Sequence, residues 1–600
     1  MELPSGRQRD GSLLAMKPQI SNLVREPETC LVAADVSPHD AIPHQRARKF
    51  RELCALPPSP GGEGRGEGER FLQSHFRSKR LITQNPKSEI RNPKSMRASL
   101  RRLLRFRSSS HHQIQRLQSA PGKPACSYFL LSKTVGLTAV FLAFVFFSGC
   151  RTSEAAVSNT AKPQRPNFVF ILTDDQRFDS MGCAGNRLIR TPNLNRLAAN
   201  GVRFRNHFVT TSICCVSRAS IFTAQYERRH GIGDFKTPLT AAQWAETYPA
   251  LLRAAGYRTG FIGKFGVGDA PYIRSKSADF DFFRGLPGQA GEWFIDPKDP
   301  SQTHATARFG NQALEFLDAC TDAQPFCLSI SFNAPHARDG KPREFQPDPR
   351  DEPLYAGGPI PVPKTASDEY FRLLPEFAQK SEGRRRWTKR FATPEMFQST
   401  MRDYYRLVTG IDREVGRIVA KLAERGLADN TVIIFTSDNG WFAGERGLAD
   451  KWLMYEESIR VPLIIFDPRA PKSKRGRIVD ALTLNLDFAP TMLELAGVPV
   501  PAGMQGRSLA PLLNGTRPAD WRTDFFYEHH YGPNIIPPSE GIRTERWAYL
   551  RWLAPNPESE ELYDVQADPL EQRNLAADPA YAATLGSLRA QWRRTGPGLK

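Results

Sequence analysis

From residue 166 onwards the chain alternates two kinds of apolar pattern. The run from Asn167 to Asp174, NFVFILTD, is continuously apolar and closes on acid, as a strand buried on both faces would. Thr191-Pro192 then opens a helix, with a capping residue before a proline at the first helical position; Leu194, Leu197 and Ala198 share one face, and Gly201 stops it. The alternation continues as a helix around Tyr248–Ala255, a strand over Tyr257–Ile262, a helix over Thr306–Ala319 and a strand over Phe326–Phe332. A long amphipathic helix from about Met396 to Arg425 and a strand over Thr431–Thr436 follow. This order predicts an α/β fold, a mainly parallel sheet sandwiched by helices, with chemistry at the carboxyl ends of the strands. After about Thr516 the pattern changes. TDFFYEHH, WAYLRWL and ELYDVQADPLEQRNL predict short antiparallel strands, with a terminal helix from about Pro579. Residues 166–515 are therefore expected to form the main domain and 516–600 a smaller subdomain, an antiparallel sheet plus helix.

Residues 1–125 carry no such pattern. A Gly/Pro/Glu-rich stretch, LPPSPGGEGRGEGER, is followed by Arg-rich and Ser-rich runs that cannot supply a core. Composition changes the reading of charge: residues 1–150 hold 24 Lys and Arg against 11 Asp and Glu, so +13 of the net +19 sits there. The folded part need not seek nucleic acid, and no nucleic-acid partner is expected. Residues 1–125 are expected to be a disordered or mistranslated leader, with Met96 a candidate start. The apolar run Val135–Phe147 has the length of a signal-peptide core within 126–150. Its Ser148-Gly149-Cys150 ending resembles a bacterial lipobox, which implies a possible lipid anchor at Cys150 and an exported protein, periplasmic or an outer-membrane lipoprotein. Residues 151–165 read as a tether. Nine cysteines without a CxxC pair give neither a disulfide scaffold nor a zinc site; Cys320 and Cys327 are equally readable as a bridge or as two thiols.

Asp174, Asp175, Asp438 and Asn439 all follow expected strands and offer only oxygen donors. That set favours Ca²⁺, or Mg²⁺, over zinc. Cys214-Cys215-Val216-Ser217-Arg218, followed by Ala219-Ser220-Ile221-Phe222-Thr223-Ala224, resembles the signature of the type I, arylsulfatase-like sulfatases of the alkaline-phosphatase-like superfamily. The resemblance runs from Asn167 to about Asn574, with Val216 where the family usually has Pro or Ala.

The resemblance implies a sulfuric ester hydrolase whose nucleophile is formylglycine, made from Cys214 by a formylglycine-generating or sulfatase-maturing enzyme. An aldehyde hydrate has one hydroxyl to attack sulfur and a second whose deprotonation expels sulfate, whereas a thiolate would leave a stable adduct. By the same resemblance Asp174, Asp175, Asp438, Asn439 and the modified Cys214 hold the metal, and Arg218 orients the modified side chain. Lys264, in Gly263-Lys264-Phe265-Gly266-Val267-Gly268, and Lys451 match the two active-site lysines. His336, in Asn333-Ala334-Pro335-His336, matches the histidine at the leaving-group oxygen. The implied substrate is a sulfated small molecule or saccharide. Gly266 replaces a family histidine, from which slow sulfate release, relieved by Gly266→His, is expected; Arg446 replaces a common histidine and is expected to affect only its loop. Candidates for the pocket rim are Arg338, Glu528, His529, His530 and Trp552. Two alternatives remain: a phosphodiesterase or phosphonate monoester hydrolase on the same scaffold, and an inactive surface glycan-binding protein if Cys214 is not oxidised.

Overall fold

The computed structural model describes residues 165–289, 291–294, 303–554 and 559–600. The expected leader, the lipobox-like segment at Cys150 and all of the expected tether except Arg165 lie outside these residues. An eight-stranded sheet organises the main domain. Its strands are β1 (Asn167–Asp174), β2 (Val202–Phe204), β3 (Arg258–Lys264), β4 (Phe282–Leu286), β5 (Phe326–Pro335), β6 (Thr431–Ser437), β7 (Leu463–Phe466) and β8 (Arg477–Val479), in the spatial order β8-β2-β7-β6-β1-β5-β3-β4. All neighbours run parallel except β7, which is antiparallel to both β6 and β2.

The apolar run of β1 occupies the centre, and its alternate residues feed two cores. Val169 and Ile171 point into one with the helices α1 (Pro192–Asn200), α4 (Ala305–Asp318) and α5 (Pro394–Glu424). Phe168, Phe170 and Leu172 point into the other with α2 (Cys214–Thr223), α3 (Tyr248–Ala254) and α6 (Phe488–Leu495). Each such side chain contributes about 1.5–3 kcal/mol on burial, so a central strand tolerates no polar position until its end. Cys320 belongs to the first core and Cys327 to the second; both are free thiols, on opposite faces of the sheet.

The expected helices and strands lie within a few residues of their observed ends. Thr191 does precede α1, but its hydroxyl accepts the Gly182 amide at 2.9 Å rather than capping the helix. At the C-terminus, β9 (Asp524–His529), β10 (Ser539–Thr544), β11 (Trp547–Trp552) and β12 (Ser559–Asp564) form an antiparallel sheet, with α7 (Ala582–Gly598) beside it. A third core joins this sheet to the main domain, uniting Tyr527 and Ile542 with Cys215, Val216, Met454 and Tyr455. No helix among the described residues is long and apolar enough to cross a membrane.

Candidate active site

Strand register brings the acids together. Thr173 of β1 pairs with Ser437 of β6, and the Asp438 amide donates to Thr173 O at 3.0 Å, so the two acidic exits lie side by side. On the other flank the pairing with β5 shifts between Leu172 and Asp174, an irregularity that re-aims the strand end. Asp175 adopts a left-handed backbone conformation (φ 63°), which aspartate tolerates better than most residues. Its amide donates to Asp438 Oδ1 at 3.3 Å, and Tyr404 Oη donates to its carbonyl at 2.9 Å.

Cys214 is the first residue of α2, where unpaired amides and the helix dipole favour negative charge. Its thiol donates to Asp174 Oδ1 at 3.4 Å and accepts from Lys451 Nζ at 3.3 Å. Cys215 points away into the third core. One turn along α2, Arg218 is buried and fully used. Its Nε donates to Asp438 at 2.8 Å, its Nη2 to Asp174 at 3.2 Å, and its Nη1 to Lys264 O at 2.7 Å and to Ser331 Oγ.

Lys264 ends β3 and pairs with Asp174 and with Gln289 Oε1, the latter at 2.6 Å. Lys451 pairs with Asp175. Two non-glycine residues with positive φ, Asp450 (71°) and Trp452 (83°), flank it, a costly conformation concentrated where a side chain must be aimed. Asp450 is in turn held by Arg390, by Arg386 at 2.6 Å and by Trp441 Nε1 at 3.1 Å. His336 Nδ1 donates to Ala337 O at 2.6 Å, which orients the ring and leaves Nε2 3.5 Å from Asp175 Oδ2.

Electrostatics follow from burial. Burial opposes ionisation of Asp174, but Lys264, His336, Arg218 and Lys451 outweigh it and hold its carboxyl well below the usual range. Burial, reinforced by Asp174, lifts Asp438 above its ordinary value, and burial with Asp174 pushes the Cys214 thiol well up. Cys214 is thus a protonated thiol at neutral pH and a poor nucleophile in its unmodified form. Donor atoms of Asp174, Asp175, Cys214 and His336 lie within 4.8 Å of one another. Two further oxygens, Asp175 Oδ2 and Asn439 Oδ1, are buried without a hydrogen-bond donor. Orphaned buried oxygens beside three carboxylates suit a hard divalent cation. His336 enters this donor cluster, although the sequence resemblance placed it only at the leaving group.

Other sequence readings need correction. A Cβ on Gly266 would lie 2.4 Å from Arg218 Cδ, and its φ is +78°. The Arg218 guanidinium is pinned, so it cannot yield. Gly266→His therefore cannot simply restore a base. We expect Gly266→Ala to cost about 1–3 kcal/mol in denaturant unfolding and to lower turnover by displacing Arg218. Arg446 does more than shape its loop: its Nη2 donates to Leu570 O at 2.9 Å and Glu571 O at 2.7 Å, tying the loop before Lys451 to the C-terminal subdomain.

Glu528, His529 and Trp552 are buried and do not form a rim. Glu528 is held by Arg228 at 2.6 Å, and Trp552 donates to Glu561 at 2.9 Å. Arg338 is partly exposed and paired with Glu292. His530 stays partly exposed, within 3.5 Å of Glu227 and 3.2 Å of Glu540, and these bonds raise its pKa to about 10. Because the folded pKa is the higher one, this clamp stabilises fully below about pH 6.5 and fades as pH rises toward 10. His530→Gln should accordingly lower Tm at pH 6, with the difference closing by about pH 10 in a thermal-shift series. Gln289, Ser331 and Tyr404 carry no sequence signal of their own and become visible only in the fold.

The Sulfatase family model matches residues 166–498, and a model of the N-sulphoglucosamine sulphohydrolase C-terminal region matches residues 444–595. The chain belongs to the sulfatase family. As a sulfatase it is a sulfuric ester hydrolase. It is 32% identical over 498 residues to the N-acetylglucosamine-6-O-sulfatase of Bacteroides thetaiotaomicron, covering 72% of this chain and 86% of that protein. A solved structure in complex with its substrate D-glucosamine-2-N,6-O-disulfate superposes with TM-score 0.62 at 30% identity, over 72% of this sulfatase and 98% of that chain. The phosphonate monoester hydrolase of Agrobacterium radiobacter superposes with TM-score 0.60 at 25% identity, over 71% and 96%.

Proposed function

We propose that this sulfatase hydrolyses sulfate esters of an amino sugar or related saccharide, through a formylglycine made from Cys214 and a divalent metal, with Ca²⁺ the first candidate. The observation that carries this reading is Cys214 itself. It sits at a helix N-terminus between Asp174 and Lys451, yet its thiol is held protonated. The site has the charges for a nucleophile and lacks an activated one. Oxidation to the aldehyde hydrate supplies the missing pair of hydroxyls.

Asp174, Asp175, Asp438 and Asn439 would hold the cation, which when bound lowers the pKa of an attached hydroxyl and polarises sulfate oxygens. Three carboxylates face three cations, Arg218, Lys264 and Lys451, so a divalent ion leaves the pocket net positive and receptive to a sulfate monoester. Lys264 from the end of β3 and Lys451 from the loop after Asp450 reach the centre and would hold the sulfate oxygens, while Arg218 fixes the first turn of α2 against β1 and β6. The Nδ1–H of His336 is committed to Ala337 O, which leaves Nε2 facing the same centre. From that position it can exchange a proton with the hydrate or the leaving group, a role Gly266 has no side chain to fill.

Glucosamine sulfates enter as candidate substrates because two similar proteins are named for acting on or binding them. Export, with a lipid anchor at Cys150, agrees with access to such saccharides. The test is protein co-produced with a maturation enzyme, assayed on N-acetylglucosamine-6-sulfate, other defined sulfated sugars and phenyl phosphonate. Saccharide desulfation well above phosphonate hydrolysis is expected. A preference for the phosphonate would favour the hydrolase reading suggested by the Agrobacterium structure, and no turnover despite aldehyde at Cys214 would overturn both.

A further inference from the structure

A cavity of about 600 Å³ opens beside the active site, between residues 342–345 and the N-terminal turns of α5, with Lys389 and Arg390 of the helix Glu382–Arg390 on a third side. Its charged lining is lopsided, five cations against Glu344 and Asp403. Three of the cations are already matched. Arg343 and Arg406 share Asp403 and Glu352 at 2.6–2.8 Å, and Arg390 is held by Glu344 at 2.7 Å, by Asp339 and by Asp450. Those pairs occupy both acids in the lining. Arg402 and Lys389 are left, and no hydrogen bond or ion pair involves either side chain among the described residues. Lys389 is exposed at the mouth, whereas the Nε of Arg402 is buried and meets no acceptor. Charged donors with no partner at a cavity wall define a place for an anion.

The cavity's position narrows what that anion belongs to. Arg390 is a shared wall, because it lines the cavity on one side and holds Asp450, the neighbour of Lys451, on the other. Phe345 also lines the cavity and packs on Trp441, which stacks at 4.5 Å on Tyr404, the residue bonded to the Asp175 carbonyl. Two side chains, Arg390 and Asp450, therefore link this cavity to Lys451, and three, Phe345, Trp441 and Tyr404, link it to Asp175. Its volume falls in the range of roughly 300–1,000 Å³ that takes a small ligand, more than one free sulfate needs.

We infer that the cavity is a second anion subsite, in which Arg402 and Lys389 bind the sulfate of another sugar of the same saccharide chain. The inference deepens the carbohydrate-sulfatase reading and rests on it. It makes the protein selective for multiply sulfated oligosaccharides over simple aryl or monosaccharide sulfates, because only a chain can engage both places at once.

The decisive measurement is calorimetric titration of the Cys214→Ala protein, which binds without turnover, using a heparin-derived tetrasaccharide and, separately, glucosamine-6-sulfate. Adding Lys389→Gln and Arg402→Gln should weaken the tetrasaccharide by about tenfold or more and leave the monosaccharide unchanged. Arg402→Lys, which keeps the charge, should recover part of the loss. In the active enzyme the same pair should raise KM for the tetrasaccharide without lowering kcat on a small aryl sulfate. Unchanged tetrasaccharide affinity in the double variant overturns the inference. So does displacement of the tetrasaccharide by millimolar inorganic sulfate, which would mark a simple ion site. If the tetrasaccharide binds through Arg402 and Lys389 yet no saccharide is desulfated, the subsite stands and the carbohydrate-sulfatase reading falls.

Discussion

Cys214→Ala should yield a folded protein whose sulfatase turnover is lower by more than about 10⁴-fold, the usual consequence of deleting a covalent nucleophile. The substitution removes one small buried side chain and its two contacts, with Asp174 and Lys451. Those partners still pair elsewhere, Asp174 with Arg218 and Lys264, and Lys451 with Asp175, so stability should shift by no more than about 1 kcal/mol. A thermal melt separates loss of chemistry from loss of fold. Mass spectrometry of the peptide spanning 210–218 should show aldehyde at Cys214 and an intact thiol at Cys215. Full activity with both thiols retained would remove Cys214 from the mechanism.

The second large effect is expected at Asp438. This carboxylate is buried, accepts from Arg218 Nε at 2.8 Å and from the Asp175 amide at 3.3 Å, and stands beside the orphaned oxygen of Asn439. Asp438→Ala should strip the bound divalent ion and reduce kcat by about 10³-fold, since a Lewis-acidic cation is worth several kcal/mol to such a reaction. It also leaves the Arg218 guanidinium with a diminished counter-charge in a buried place, a change that costs about 3–5 kcal/mol when a pair is broken outright. Asp438→Asn preserves shape and the amide contact, and should lose metal with a smaller drop in Tm. Metal content by plasma mass spectrometry, read with activity after exhaustive chelation, checks the assignment. Undiminished turnover in the chelated protein would rule it out.

Much of the centre was legible because it lies at strand ends. NFVFILTD reads as a strand covered on both faces, which put the acids after it at a carboxyl edge, and the same reasoning placed Asp438 and Asn439. Lys264 and Lys451 were found through motif resemblance, and the structure brings both to Asp174 and Asp175. What failed was burial in the C-terminal sheet. Glu528, His529 and Trp552 look like surface chemistry in sequence. The sheet that carries them is covered by the main domain on one side and packed by α7 on the other, so both parities of the strand go inside. Gly266 failed for a related reason. Reading a glycine as a missing base ignores the space its hydrogen leaves, which the Arg218 side chain fills. Arg402 gave no signal at all, because an unpaired guanidinium is recognised only once every neighbouring acid has been assigned to another partner.

The near-complete enclosure of Cys214, 1% exposed, would set a clock on the oxidation proposed for it. On the proposed formylglycine reading, a modifying enzyme would have to reach the thiol while the segment is still extended. The fold that shuts it away includes Lys451, which contacts the thiol from 237 residues further along the chain. At ordinary synthesis rates of roughly 5–20 residues per second, that separation leaves a window of roughly 10–50 s between the emergence of one residue and the arrival of the other. Protein made faster than its maturation partner can act would close around an unconverted thiol. The fraction of active molecules in a culture should then depend on how quickly the chain was translated, and not on how long the finished protein is incubated.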